Sequence, residues 1–148
     1  MSAPLLLESE TGPQPKARAG RWQNGSCVSL YEGTPYEYSA EAHGLVFTAG
    51  ACPLDDEGKV VAPGDYEAQT ERAVANLLAA LAKRGLGADS LLKTTIYVVG
   101  QERGDLVHVW GVASEQLGRA PSTLLGVSFL GYPDQLVEID AIAAREPR

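Results

Sequence analysis

From Tyr66 to Arg84 the chain repeats its apolar residues at helical spacing. Ala73, Leu77 and Leu81 recur four apart, with Thr70, Val74 and Leu78 beside them, so one broad stripe of this segment faces a core. Asp65 is placed to cap its N-terminus and Gly85 its C-terminus. The next run, Leu91 to Val99, is rich in β-branched residues and predicts a central strand. Asp105 is expected to cap a second helix that runs to Leu117, with Leu106, Val109, Trp110, Ala113 and Leu117 as its apolar face. Two strands follow, Ser122 to Phe129 and Leu136 to Ala143. In the last, Val137, Ile139, Ala141 and Ala143 alternate with Glu138, Asp140 and Ile142, the period of a strand with two different faces.

Ahead of the first helix the pattern is shorter and more broken. Gly44 to Ala49 is a compact apolar run that predicts a buried strand, and Gly50 follows it. Cys27 to Tyr31, Tyr36 to Ser39 and Lys59 to Ala62 are short strand candidates, separated by turns at Gly33-Thr34-Pro35 and Asp55 to Gly58. Residues 1 to 21 hold three prolines and mixed charges without periodicity, which predicts an extended leader ahead of one domain over residues 22–148. The order strands, helix, strand, helix, strand, strand predicts an α+β domain: one mixed sheet with both helices on a single face. The other face carries Thr, Val and Ile that a lone subunit leaves wet, and association between subunits is the simplest way to cover them.

Composition narrows the function. The chain has 148 residues, enough for one domain with its own core, and a net charge of -7. That charge argues against a nucleic-acid or anionic-membrane surface, because phosphate binding needs clustered Lys and Arg. No apolar run approaches the roughly 18 residues of a membrane span, and three leucines near the N-terminus do not make a signal sequence, so the expected location is the cytoplasm. Cys27 and Cys52 are too few for a disulfide framework. His43 and His108 have no ligand-spaced partners, so no metal site is expected, and no phosphate loop or nucleophile elbow occurs. Cys52 follows a strand end and is read first as packing, with a nucleophile as the remote alternative.

Two features can carry chemistry. Glu138 and Asp140 share one face of the last strand, where a carboxylate on a rigid element can orient water or accept a proton; the plain alternative is a solvated or ion-paired face. Gly50, at the end of a buried strand, lets a ligand approach backbone N–H groups; the alternative is an ordinary turn.

Five segments in order resemble one family. They are Pro35-Tyr36 followed by Thr48-Ala49-Gly50; Ala68-Gln69-Thr70 with Asn76-Leu77; Leu92 to Val98 with its Lys-Thr-Thr core; Pro121-Ser122-Thr123; and Val137-Glu138-Ile139-Asp140-Ala141-Ile142-Ala143. Together they resemble the RidA (YjgF/YER057c/UK114) family, in a match that runs from about residue 26 to residue 144. The resemblance implies a chorismate-mutase-like α+β fold and a homotrimer with small-molecule pockets between subunits. It also implies hydrolysis of reactive enamines and imines such as 2-aminoacrylate, without metal or organic cofactor. By the same resemblance Tyr36 is the pocket tyrosine, Gly50 offers its N–H to a substrate carboxylate, and Glu138 positions the attacking water.

Thr123 departs from the pattern. It stands where the resemblance implies an arginine that holds the substrate carboxylate bidentately. A threonine hydroxyl cannot replace a charged fork, and losing such a pair costs about 2–5 kcal/mol, roughly 30- to several-thousand-fold in affinity. Arg119 and Arg103 are nearby in sequence but match no family position. Trp110 is read either as helix core or as a pocket wall suited to a flatter ligand, and Leu125, with Leu124, makes the pocket more apolar. The expectation is therefore an enzyme acting on an enamine, imine or related metabolite other than a simple 2-amino acid derivative. The alternatives are a trimeric module that binds or senses small molecules without catalysis, and a ribonuclease, which the acidic charge disfavours.

Overall fold

The computed structural model describes residues 28–146. Five strands and two helices follow in the order β1 (Ser39–Ala42), β2 (Leu45–Thr48), α1 (Tyr66–Ala82), β3 (Leu91–Val99), α2 (Arg103–Leu117), β4 (Ser122–Val127) and β5 (Val137–Ala144). The strands form one sheet ordered β1-β2-β5-β3-β4, antiparallel throughout except for the parallel pair β3–β4, which α2 connects. This is the mixed sheet with two helices that the sequence predicts.

The helices begin where local chemistry satisfies their first N–H groups. Asp65 caps α1, its carboxylate accepting from the N–H of Ala68 at 3.0 Å. After α1, Gly85 takes φ +73°, a conformation open to glycine, and the N–H of Leu86 returns to the carbonyl of Leu81 at 3.0 Å. Asp105 is not the cap of α2: Glu102 is, and Asp105 answers it from the third helical position in a capping box, so the cap of α2 lies three residues earlier than expected.

The core lies between the sheet and the helices. Leu77 and Leu81 of α1 and Val109 of α2 are fully buried against Ile96 and Val98 of β3, Val137 and Ile139 of β5, and Val46 of β2. Alternation then fixes the other face. Lys93, Thr95 and Tyr97 of β3, Glu138, Asp140 and Ile142 of β5, Thr123 and Leu125 of β4, and Phe47 of β2 point away from the helices. In the single chain this face is uncovered, and Phe47 is 47% exposed.

Several expectations change. Gly44 to Ala49 yields a four-residue strand in which only Val46 is buried, because β2 is covered by the helices on one side only. Tyr36 to Ser39 is mostly turn, and β1 begins at Ser39. Val28 to Tyr31 forms no strand, and Lys59 to Ala62 gives only the bridge Leu54–Val60. The predicted leader over residues 1 to 21, and Cys27, lie outside the described residues. Among the described residues no helix is long and apolar enough to cross a membrane.

Leu77 tests the core. Leu77→Ala is expected to lose about 2–5 kcal/mol in urea unfolding, through lost burial and an incompletely collapsed cavity. Val107→Ala, on the exposed side of α2, is expected to change stability by no more than about 0.5 kcal/mol.

Candidate functional site

The site assembles where the segment after β2 runs beside β5. The N–H of Ala51 donates to the carbonyl of Ile139 at 2.7 Å, and the N–H of Ile139 to that of Ala51 at 3.2 Å. This bridge lays Gly50 and Cys52 against the open face of β5, where Glu138 stands. The fit needs glycine. A Cβ on Gly50 would lie 1.9 Å from Glu138 Oε1 and 2.8 Å from its Cγ, so the glutamate side chain rests directly over the Gly50 backbone.

Glu138 is held as well as placed. Among the described residues its carboxylate accepts two hydrogen bonds, both on Oε2: one from Gln135 Nε2 at 3.0 Å, the other from the Cys52 thiol at 3.5 Å. The thiol is buried, and its pKa is pushed up to about 12, first by burial and then by the charge of Glu138 and its hydrogen bond. Cys52 is therefore a protonated donor at neutral pH and a poor nucleophile.

A cleft of about 310 Å³ opens over these groups, with Tyr36, Gly50, Cys52, Tyr132 and Glu138 in its walls. The hydroxyls of Tyr36 and Tyr132 lie 3.5 Å apart, and the Tyr36 ring meets that of Tyr38 edge-on at 6.3 Å. Desolvation first, then the Tyr132 hydroxyl, raises the pKa of Tyr36, so it faces the cleft as a neutral phenol. The arrangement combines a fixed carboxylate, two tyrosine hydroxyls and glycine backbone, a set able to orient water and exchange a proton.

Three residues singled out in the sequence thus meet: Tyr36, Gly50 and Glu138. Three others do not line this chain's cleft. Thr123 and Leu125 lie on the same open sheet face but on β4, beyond β3. Thr123 accepts a hydrogen bond there from the ammonium of Lys93. Trp110 sits at the edge of the α2 stripe and is 39% exposed, while Val109, Ala113 and Leu117 go into the core; it is neither core nor a wall of the cleft. Arg103 and Arg119 are exposed at the two ends of α2 and do not line it either. Asp140 accepts from the Tyr97 hydroxyl at 2.9 Å, so of the two β5 carboxylates only Glu138 faces the cleft.

Sequence reading missed Gln135 and Tyr132 and left Cys52 as filling. A signal for Gln135 was present: it falls in phase with Val137, Ile139, Ala141 and Ala143, an amide in the buried register of a strand.

A small α+β protein with a glycine-seated carboxylate in an open cleft is the class that fold and site define. The chain belongs to the RidA/YjgF family: residues 28–145 match the family model described as Endoribonuclease L-PSP. It is similar to a RutC family protein of Pyrococcus abyssi, 30% identical over 113 residues that cover 76% of this chain and 87% of that one. Among solved structures it resembles a Rid family protein, YyfA, from Yersinia pestis, at TM-score 0.67 and 28% identity over 80% of this chain and 93% of that one. E. coli TdcF with bound serine shares the fold at TM-score 0.66 and 22% identity, covering 82% and 96%.

The thiol reports on Glu138. In a Cys27→Ser background, Cys52 is expected to resist iodoacetamide at pH 8. Glu138→Gln removes the negative charge that disfavours the thiolate, so the thiol pKa falls and alkylation quickens. An unchanged or slower rate contradicts the contact.

Proposed function

We propose that the chain acts on an enamine, imine or related small metabolite by water-assisted hydrolysis or tautomerisation. The observation that carries this reading is the Glu138 carboxylate in the cleft wall, seated on Gly50 with Oε2 held by two donors and Oε1 over the glycine backbone. In the hydrolytic direction Glu138 accepts a proton from water as the water oxygen bonds to the imine carbon. The C=N pair of electrons goes to nitrogen, which takes the proton back from Glu138. Glu138 then accepts the proton of the carbinolamine hydroxyl and passes it to nitrogen as the C–N bond breaks, leaving a carbonyl compound and ammonia or an amine. Tyr36 supplies a neutral phenol and Tyr132 a second hydroxyl to the same cleft, and no metal or organic cofactor enters the step.

The reading includes a homotrimer. Phe47, Ile142 and Leu125 share the uncovered sheet face, and apolar area of this kind is stabilised by a second subunit. A pocket completed between subunits also accounts for Thr123 and Leu125 lying outside the cleft of their own chain: they would come from a neighbour, with the Lys93 ammonium beside Thr123. TdcF, a protein of the same fold, holds serine in its structure, which supports a small-molecule ligand here. The family description names a ribonuclease, but a net charge of -7 counts against binding an RNA backbone.

The test supplies enzymatically generated 2-iminopropionate and bulkier imines and follows ammonia or semicarbazone formation. Turnover above buffer of at least one bulkier imine, lowered about 100-fold or more in Glu138→Ala, is expected. No turnover of any imine, with Glu138→Ala indistinguishable from the parent, removes the hydrolytic reading and leaves a binding module. By light scattering, a mass near three times 15.7 kDa is expected, and one near 15.7 kDa contradicts the trimer.

A further inference from the structure

Gln135 is a buried amide, 3% exposed, just ahead of β5. Its Oε1 accepts from the N–H of Tyr132 at 3.2 Å, while Nε2 donates to Glu138 Oε2 at 3.0 Å and to the carbonyl of Val137 at 3.1 Å. These partners leave the amide one orientation. Reversed, it would set its oxygen against a carboxylate and a carbonyl and turn an NH2 toward an N–H. An amide that can only donate toward Glu138 ties one carboxylate oxygen to the backbone of β5 and, through Tyr132, to the cleft wall.

We propose that Gln135 is a positioning residue: its amide locks Glu138 Oε2, so that Oε1 is the oxygen presented over Gly50 to the reacting water. The two carboxylate oxygens thus have separate tasks. Cys52 reinforces the lock with a weaker thiol donor on the same Oε2. Gly50 completes it from below, since the space its missing Cβ leaves is the space Oε1 occupies. Tyr132 donates its N–H to Gln135 and sets its hydroxyl 3.5 Å from that of Tyr36, so the amide also fixes one cleft wall against the carboxylate.

This rests on the hydrolytic reading above, and the experiment separates the two. Gln135→Leu removes the donor and keeps most of the bulk. Gln135→Glu introduces a carboxyl that donates to Glu138 only while protonated. In a crystal structure of full-length Gln135→Leu, the Glu138 carboxylate is expected to turn away from Gly50; a carboxylate left in place overturns the proposal whatever the activity. With an imine that the parent turns over, Gln135→Leu is expected to lower kcat about 100-fold with KM little changed, the signature of a misaimed reactive group. Gln135→Glu is expected to approach the parent at low pH and to fall to the level of Gln135→Leu as pH rises and the introduced carboxyl ionises. A ratio to the parent that stays flat across pH overturns the lock, and this arm also serves if Gln135→Leu does not fold. If the parent hydrolyses no imine, the hydrolytic reading alone fails, and the two structures, including the Glu138 position in Gln135→Glu crystals at low and high pH, decide the lock.

Discussion

The site depends on two buried amides of α1. Gln69 and Asn76 are seven residues apart, two turns, and so lie on the same buried side of the helix. Gln69 donates through Nε2 to the carbonyl of Asp134 at 2.9 Å and accepts from the N–H of Leu136 at 2.8 Å, gripping the loop that carries Gln135. Asn76 donates to the carbonyls of Cys52 and Leu54 at 2.8 and 2.9 Å, gripping the segment that carries Gly50 and Cys52. Irregular chain has carbonyls and N–H groups that no ladder satisfies, and burying them unpaired costs about 1–3 kcal/mol each. The amides meet that demand and, in doing so, bring two loops from distant parts of the sequence to the same edge of β5. Arg72, on the same helix, adds a bond from Nε to Leu54 O at 2.8 Å.

The chemistry follows from this placement. β5 turns Val137 and Ile139 into the core and Glu138 outward, so the carboxylate stands on a rigid strand at the border between core and water. The loop held by Asn76 brings a residue without a side chain beneath it, and the loop held by Gln69 brings a neutral donor beside it. Glu138 is oriented by an amide and a thiol, and among the described residues no cation pairs with it. Glu41, which pairs with Arg145 at 2.6 Å on the far edge of the sheet, shows the other use of a carboxylate, and there the guanidinium holds its carboxyl below the usual range.

Much of this was legible in the residues because periodicity is local. The helical stripe of α1, the run Leu91–Val99 and the alternation of β5 each follow from burying one face, and each element formed at nearly the predicted bounds. As candidates, Tyr36 was legible by resemblance alone, Gly50 also by its place at a strand end, and Glu138 also by the face it takes on the last strand, and the three line one cleft. Trp110 was not: an aromatic at the edge of a helical stripe goes either way, and the position of the sheet decides. The reach of β2 was overread because a run of apolar letters does not tell how many sides of a strand are covered.

The sequence by itself determined the class of fold, the Asp65 cap of α1 and the face on which Glu138 stands, since all three depend on spacing along one segment. Only the tertiary structure decided which residues meet it. That Gly50 lies under Oε1, that Gln135 and Cys52 converge on Oε2, and that Thr123, Leu125 and Trp110 stay out of this chain's cleft are facts about segments up to 88 residues apart. Their meeting is fixed by the sheet order and by where the buried donors of α1 find acceptors, and neither is written in the spacing of any one segment.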